Sequence, residues 1–287
     1  MSDLRTAVRE ATARLAAAGI ASPEVDAVAL AAHARGTDAG EVRRAMVLGA
    51  PEPDAYATLV AERASRVPLQ HLTGQAHFRR LTLAVGPGVF VPRPETEVTA
   101  GHAIDAASAM GPDVVVVDLC TGSGAIALAV KDELPAARVL AVEVSDLAHG
   151  WAVANRDRLG LDVEVRLGDA MMAFDDLEGA VDVVVTNPPY IPVGAVPVDP
   201  EVRDHDPEVA LYGGSADGLA IPVAVAARAA VLLRADGVLV MEHADTQGGT
   251  LPQALRASGS WVEMVDHLDL SGRPRTTVAV RAPDPSP

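Results

Sequence analysis

Val114-Val115-Val116-Val117-Asp118-Leu119-Cys120-Thr121-Gly122-Ser123-Gly124 decides the fold. Its continuous β-branched run lacks polar alternation, as expected of a strand buried on both faces in a parallel sheet. Gly122 and Gly124 then let the backbone turn sharply and let a ligand approach it closely. A helix is expected from Ala125 to about Glu133. The next strand, Arg138 to Val142, ends on Glu143, 19 residues after Gly124. An acid at that distance can take both hydroxyls of a ribose. A lone glycine-rich turn is weak evidence, but between a buried strand and a helix it points to an adenosine-type cofactor.

The pattern repeats downstream. A third strand, Val163 to Leu167, ends on Gly168-Asp169, where the carboxylate can accept from an adenine amine. A fourth, Val181-Asp182-Val183-Val184-Val185, runs into Thr186-Asn187-Pro188-Pro189-Tyr190. In an open α/β sheet, ligands sit at that carboxyl edge. Prolines fix φ and remove donors, so the carbonyls of Asn187 and Pro188 need partners from outside the sheet. The Asn187 amide adds an acceptor and two donors, and Tyr190 adds a flat ring and a hydroxyl. Such a cup suits a planar group carrying an NH2, either an amide or an exocyclic base amine. Read alone, Asn-Pro-Pro is equally an Asx-type turn closed by two prolines; the glycine motif upstream tips the balance.

Working outward, Leu4, Val8, Ala11, Leu15 and Ala18 form one stripe of an amphipathic helix that Gly19 ends. Ser22-Pro23-Glu24 opens a second helix, with Ser22 as cap, running to Arg35 before Gly36. Thr37 or Asp38 caps a third, to about Leu48, and Asp54 starts a fourth, to about Arg66. Residues 1–74 are therefore expected to be a small helical bundle that serves recognition or simply covers the core. Alternation from Gln75 to Val85 predicts a hairpin, so that 75–94 links the bundle to an α/β domain over 95–287. Within that linker, Val89-Phe90-Val91-Pro92-Arg93-Pro94 predicts a rigid loop before a helix starting near Glu95. The proline-rich segment Ile191 to Ser215 is long for a loop and predicts a lid or substrate clamp. Helices at 217–234 and 247–258 and strands at 236–242, 261–268 and 275–281 follow. The alternation gives a doubly wound α/β sheet. Its closing pair of strands has no helix between them, so one runs antiparallel. A proline-rich tail starts at Ala282 and is expected to fray.

Composition narrows the function. The formal net charge is −16, and residues 1–75 hold nine acids against eight arginines, so −15 falls on the remainder. Phosphate contacts dominate nucleic-acid affinity, so an acidic α/β region favours a protein or small-molecule substrate. No apolar run approaches the ~20 residues that span a bilayer. The start of the chain reads as no signal peptide, and a single cysteine fits a reducing cytoplasm. A nicotinamide dehydrogenase fits Gly122-x-Gly124-x-x-Ala127 but lacks a group placed for hydride chemistry. A P-loop is excluded because no Lys follows the glycines.

Asp118-Leu119-Cys120-Thr121-Gly122-Ser123-Gly124 resembles the S-adenosylmethionine loop of Rossmann-like methyltransferases, and Asn187-Pro188-Pro189-Tyr190 resembles the motif of those that methylate planar nitrogens. Three further features are similar to the HemK/PrmC family, the glutamine methyltransferases of peptide chain release factors. They are Phe90-Val91-Pro92-Arg93-Pro94-Glu95-Thr96-Glu97, Glu208-Val209-Ala210-Leu211-Tyr212-Gly213-Gly214 with Asp217-Gly218-Leu219, and the helical N-terminal region. The resemblance spans essentially the whole chain. It implies a seven-stranded, mostly parallel sheet with one antiparallel strand, and a glutamine side chain of the release factor's Gly-Gly-Gln loop as acceptor. By motif, Asp118 and Cys120 to Gly124 (Thr121, Gly122 and Ser123 between them) hold the methionine part of the cofactor. Glu143 holds the ribose, Asp169 and Ala170 face the adenine, and Asn187 lies against both cofactor and acceptor. Asn187, Pro188, Pro189 and Tyr190, with Phe90 and Arg93, would hold the glutamine. Where some relatives carry an aromatic, this chain has Ala170, and Met171, Met172 or Phe174 can substitute as an adenine wall.

The residues also imply a mechanism. The Asn187 side-chain oxygen and the Pro188 carbonyl accept both N–H bonds of the amide, Tyr190 packs on its plane, and no metal or covalent intermediate is required. The partner is then a release factor and the enzyme a monomer, with neither nucleic acid nor membrane bound directly. An amino-methyltransferase of DNA or RNA bases is the alternative. His71, His77, His205 and His243 lack metal-ligand spacing and read as surface or loop residues. Cys120 reads as a packing residue. Arg93 reads as pairing with Glu95 or Glu97 or as touching substrate. Glu242-His243 reads as facing the site or simply ending its strand.

Overall fold

The computed structural model describes residues 3–283; the rest of the expected tail lies outside them. Helices α1 (Leu4–Ala17), α2 (Pro23–Arg35), α3 (Ala39–Val47), α4 (Tyr56–Ala64) and α5 (Leu69–Thr73) lead into the hairpin of β1 (Gln75–Phe78) and β2 (Leu81–Ala84). There follow α6 (Pro94–Met110), β3 (Val115–Leu119), α7 (Ala125–Glu133), β4 (Arg138–Glu143), α8 (Asp146–Leu159), β5 (Val163–Leu167) and β6 (Val181–Thr186). The chain closes with α9 (Pro200–His205), α10 (Ala220–Leu232), β7 (Leu233–Glu242), α11 (Thr250–Ala257), β8 (Trp261–Leu268) and β9 (Pro274–Arg281). Among the described residues no helix is long and apolar enough to cross a membrane.

The chain divides into two compact units, the first formed by residues up to Gln75 together with Val198–His205. Its helices start and stop where local chemistry says they should. The carboxylate of Asp3 accepts from Thr6 N and that of Asp38 from Glu41 N, each taking one of the donors that a helix start leaves free. Gly36 ends α2 in the left-handed region at φ 63°. Ser22 precedes α2 but makes no side-chain cap bond; Pro23 in the first turn removes a donor that would otherwise need capping. Leu4, Leu15, Leu30 and Tyr56 are fully buried at the centre, and the Tyr56 hydroxyl donates to Ala27 O at 3.0 Å.

The short helix α9 lies within the segment expected to be a loop, yet it folds with the first unit. Arg63 is the reason. Its Nε lies 2.7 Å from Asp26 Oδ2 and its Nη2 2.9 Å from Glu201 Oε1, with Arg63 and Asp26 buried and Glu201 nearly so. Arg66 Nη2 adds contacts of 3.2 Å to both Asp199 and Glu201.

The second unit contains a seven-stranded sheet in the order β5-β4-β3-β6-β7-β9-β8. All neighbours run parallel except β9, which is antiparallel to both β7 and β8. Period-two geometry divides the valines between two cores. Val116, Val183 and Val185 face the core beneath α6 and α7, whereas Val117, Val184 and Leu239 face the one beneath α10 and α11. Each fully buried side chain of this kind contributes roughly 1.5–3 kcal/mol. From β3 the chain steps outward to β4 and β5, then returns to place β6 on the other side of β3. The carboxyl ends of β3 and β6 therefore flank the topological switch point, with Leu119 beside Thr186 in register.

Candidate active site

The turn after β3 is held by buried carboxylates on its flanks. Asp118 Oδ2 accepts from Thr121 Oγ1 at 2.6 Å and from Ala127 N at 3.1 Å, tying strand end to helix start. Its Oδ1 is buried and has no partner. Burial, the largest influence, pushes the Asp118 carboxyl up to about 7. Glu143, at the end of the neighbouring β4, accepts from Gly122 N at 2.8 Å through Oε2 and from Ser145 N at 2.9 Å through Oε1. Cys120, Gly122 and Gly124 all have positive φ, at 67°, 58° and 85°. A side chain at Gly122 would meet nothing within 4 Å, so the space over the turn is open. Ser123 is buried, and its carbonyl accepts from Asn155 Nδ2 at 3.1 Å. Burial pushes the Cys120 thiol well above its ordinary range, which keeps it neutral and poor as a nucleophile.

The cup after β6 is built from outside the strand. Asn187 is half-buried and Pro188 and Pro189 are buried. Asn187 Nδ2 donates to Thr96 Oγ1 at 3.2 Å, which leaves Oδ1 turned away from that hydroxyl. Among the described residues nothing donates to Asn187 Oδ1 or to the main-chain carbonyl of Pro188. The Tyr190 carbonyl, by contrast, accepts from Gln247 Nε2 at 3.0 Å. Ile191 pairs with the other arm of the excursion: its N donates to Leu211 O, and its carbonyl accepts from Gly213 N.

This packing explains the Tyr212-Gly213-Gly214 and Asp217-Gly218 motifs. A Cβ at Gly218 would lie 2.1 Å from Tyr190 O, and one at Gly213 would lie 2.0 Å from Gly218 O. Gly218 also has φ 75°. We expect Gly218→Ala to cost roughly 2–4 kcal/mol from backbone overlap and left-handed strain, read as a lower urea midpoint with an unchanged slope.

The Tyr190 hydroxyl faces Glu242 and Arg275; burial is the main reason its pKa is raised. Arg275 is anchored in turn by Asp269, with both Nε and Nη2 at 3.3 Å from Oδ2. Phe90 and Arg93 are neighbours, the guanidinium carbon lying 5.3 Å from the ring centre. Arg93 pairs with neither Glu95 nor Glu97. Its Nη2 donates to the buried Asp206 Oδ2 at 2.7 Å, and Asp206 Oδ1 accepts from Val91 N at 3.4 Å. The loop of prolines is thus pinned by an acid more than a hundred residues away, which no local pattern reveals.

At the end of β5, Asp169 is exposed and accepts from Met171 N at 2.8 Å, while Ala170 is buried. Phe174 sits in the second core with the Arg166 guanidinium 4.5 Å from its ring centre. Val144, directly after Glu143, is exposed, as are Met171 and Met172. Val144 is a candidate that sequence reading passed over, although its place beside the ribose acid was signal enough. Gln247, Asp206 and Thr96 carried no signal of their own. His243 is not a surface residue: it is fully buried, with Nδ1 2.8 Å from Ala244 O and Nε2 2.7 Å from Asp266 Oδ1.

Residues 6–74 match the family described as "PrmC N-terminal domain" and residues 102–198 the "Methyltransferase small domain". The chain is 51% identical to the release factor glutamine methyltransferase of Streptomyces coelicolor, over 98% of this chain and 99% of that one. It is 40% identical to the 4-amino-L-phenylalanine/4-methylamino-L-phenylalanine methyltransferase of Streptomyces pristinaespiralis, over 90% and 89%. Among solved structures, a methyltransferase from Pyrococcus furiosus aligns over 70% of this chain and 88% of that chain, with a TM-score of 0.51 and 16% identity, a likeness of fold.

Proposed function

Since this chain belongs to the family of release factor glutamine methyltransferases, we propose that it moves a methyl group from S-adenosylmethionine to the side-chain nitrogen of a glutamine in the Gly-Gly-Gln loop of a release factor. A cytoplasmic monomer acting on that protein partner, with no direct contact to nucleic acid, completes the reading. The single observation that supports it is the pair of acceptors, Asn187 Oδ1 and Pro188 O, that lack donors among the described residues beside an open glycine turn.

The residues around that turn fit the cofactor. The unpartnered Asp118 Oδ1 suits the ammonium of its amino-acid part. Glu143 keeps lone pairs for ribose hydroxyls while its backbone bonds hold it in place. Val144 and Met171 offer exposed apolar surface at the ends of adjacent strands for the adenine, with the buried Ala170 beside Met171. When bound, the cofactor supplies a methyl group on a sulfonium, a donor that is already activated. The chain's own task is to position the acceptor. An amide nitrogen is a poor nucleophile because its lone pair is delocalised into the carbonyl. Asn187 Oδ1 and Pro188 O each accept one N–H, which aims the lone pair at the donor and sets two carbonyl dipoles against the growing positive charge. Phe90 and Arg93 flank the acceptor, and Tyr190, fixed by Gln247 and Arg275, forms its remaining wall.

The test is to incubate the full chain with isotopically labelled S-adenosylmethionine and a purified release factor, and to map the methylated residue by mass. Label on the Gly-Gly-Gln glutamine is the expected result. Label on free 4-amino-L-phenylalanine or on nucleic acid, with none on the protein, overturns the reading. Glu143→Ala is expected to weaken S-adenosylhomocysteine binding by about 10–100-fold, since charge-assisted hydrogen bonds are worth ~1.5–3 kcal/mol. Calorimetric titration measures it.

A further inference from the structure

Behind the acceptor cup lies a second layer that the reaction as derived so far leaves unused. Thr96, in the first turn of α6, is buried and accepts from Asn187 Nδ2 at 3.2 Å. Its hydroxyl faces Glu242, the buried last residue of β7. Thr99, one turn further along α6, donates to Glu242 Oε2 at 3.1 Å and lies 2.7 Å from the Thr276 hydroxyl. Burying a carboxyl group is costly unless hydrogen bonds compensate it, and the Thr99 hydroxyl supplies one.

We infer that Thr96 and Glu242 are positioning residues for the methyl transfer: the Glu242 carboxylate orients the Thr96 hydroxyl, and that hydroxyl holds the Asn187 amide with its oxygen turned toward the acceptor. The inference rests on the glutamine-amide reading above and assigns a polarity to it. An ionised carboxylate only accepts hydrogen bonds, so the Thr96 proton must point at Glu242. The oxygen of Thr96 then faces Asn187 with lone pairs alone, and only the NH2 end of the amide can satisfy it. Were the hydroxyl free to donate, it would bind Asn187 Oδ1 equally well. The amide would then turn over and present two donors to an acceptor nitrogen that also carries donors. Correct polarity at Asn187 is therefore set one and two residues away from the reacting atoms.

This polarity depends on the charge of Glu242. The groups facing it are Thr96, Thr99 and Glu95 from α6, Arg275 and Thr276 from β9, and Tyr190 after β6. Burial outweighs Arg275 and the hydroxyls and pushes its carboxyl up to about 7. A carboxylic acid can donate to Thr96 and release the polarity. Turnover should thus be low below that pH and rise to a plateau above it.

The test uses the full-length protein, a purified release factor and S-adenosylmethionine, with kcat, KM and S-adenosylhomocysteine binding measured from pH 5.5 to about 9, a span that brackets the titration of the buried carboxyl. For Thr96→Val, kcat is expected to fall about 10–100-fold, consistent with the worth of one lost hydrogen bond plus a misoriented amide. The affinity for S-adenosylhomocysteine should stay within about threefold of the parent, below the effect of one lost hydrogen bond. Thr96→Ser should restore most of the rate. Glu242→Gln should lower the plateau and abolish the acid limb, because a carboxamide does not titrate. Parent kcat in a folded Thr96→Val, or equal loss in Thr96→Val and Thr96→Ser, overturns the inference. The same holds for an acid limb in kcat that persists in Glu242→Gln at saturating S-adenosylmethionine, where the cofactor-side Asp118 does not contribute. If Asn187→Ala itself turns over at the parent rate, the glutamine-amide reading fails instead, and the two failures are told apart.

Discussion

Replacement of Asn187 by Ala is expected to lower kcat by about 10²–10³-fold, the usual consequence of deleting one preorganised dipole at a reacting centre. Cofactor binding should scarcely change, because the residues fitted to that group lie on the turns after β3, β4 and β5. Two losses combine at this position. The acceptor nitrogen gives up one of its two carbonyl partners and becomes free to rotate, and the charge that builds as the methyl arrives meets one dipole fewer. Asn187→Asp separates the two. It keeps an acceptor oxygen but repels Glu242, a carboxylate already crowded by Glu95 through the same helix. Single-turnover methyl transfer, with calorimetry of S-adenosylhomocysteine as the binding control, reads both. An Asn187→Ala variant with parent turnover would remove the amide-positioning scheme altogether.

The second large effect belongs to the first unit. Arg63→Ala is expected to destabilise it by about 3–5 kcal/mol, the range for breaking a buried pair and stranding a charge. The stranded groups are Asp26, on α2, and Glu201, on α9; Arg66 compensates only Glu201, at 3.2 Å. Urea unfolding followed by circular dichroism should show a shallow early transition as the helices of this unit melt ahead of the sheet. A companion variant makes the argument specific. Arg63→Met with Asp26→Leu removes the charges together and leaves Glu201 to Arg66, so it should recover much of the loss, as apolar replacements of buried pairs commonly do. If the double variant is no more stable than Arg63→Ala, the damage is to packing rather than to charge.

What was legible in the sequence was whatever short-range chemistry governs. Continuous valines demanded a strand covered on both faces, and the structure divides Val116 and Val117 between two cores. Asp38 before α3 and Gly36 after α2 marked helix ends because caps are local bonds. The family motifs marked the glycine turn and Asn187 to Tyr190, and the parallel order of the sheet brings those two stretches to one edge.

Some expectations failed for the same reason that others held. The sequence offers Arg93 nearby acids or substrate as partners; of these the pairing with Glu95 or Glu97 fails, since Arg93 bonds Asp206. Opposite charges two and four residues apart are a pattern visible in sequence; a contact made across the fold is not. His243 reads in sequence as one of several scattered histidines, and only the pairing of β7 with β9 and of β9 with β8 shows it buried on Asp266 of β8. The segment after Tyr190 reads as one long loop, because four prolines interrupt any helical period. Its middle is α9, held by Arg63 and Arg66 of the helical unit.

By itself, then, the sequence determined most of the order of strands and helices and put the glycine turn and the stretch Asn187-Pro188-Pro189-Tyr190 at strand ends, because these follow from periodicity, backbone restriction and spacing along the chain. Only the tertiary structure decided which way the Asn187 amide points, through Thr96 and Glu242, and which carbonyl Gln247 occupies. Those are hydrogen bonds between elements distant in sequence. Their partners are chosen by the geometry of the folded sheet, and composition and spacing carry no record of it.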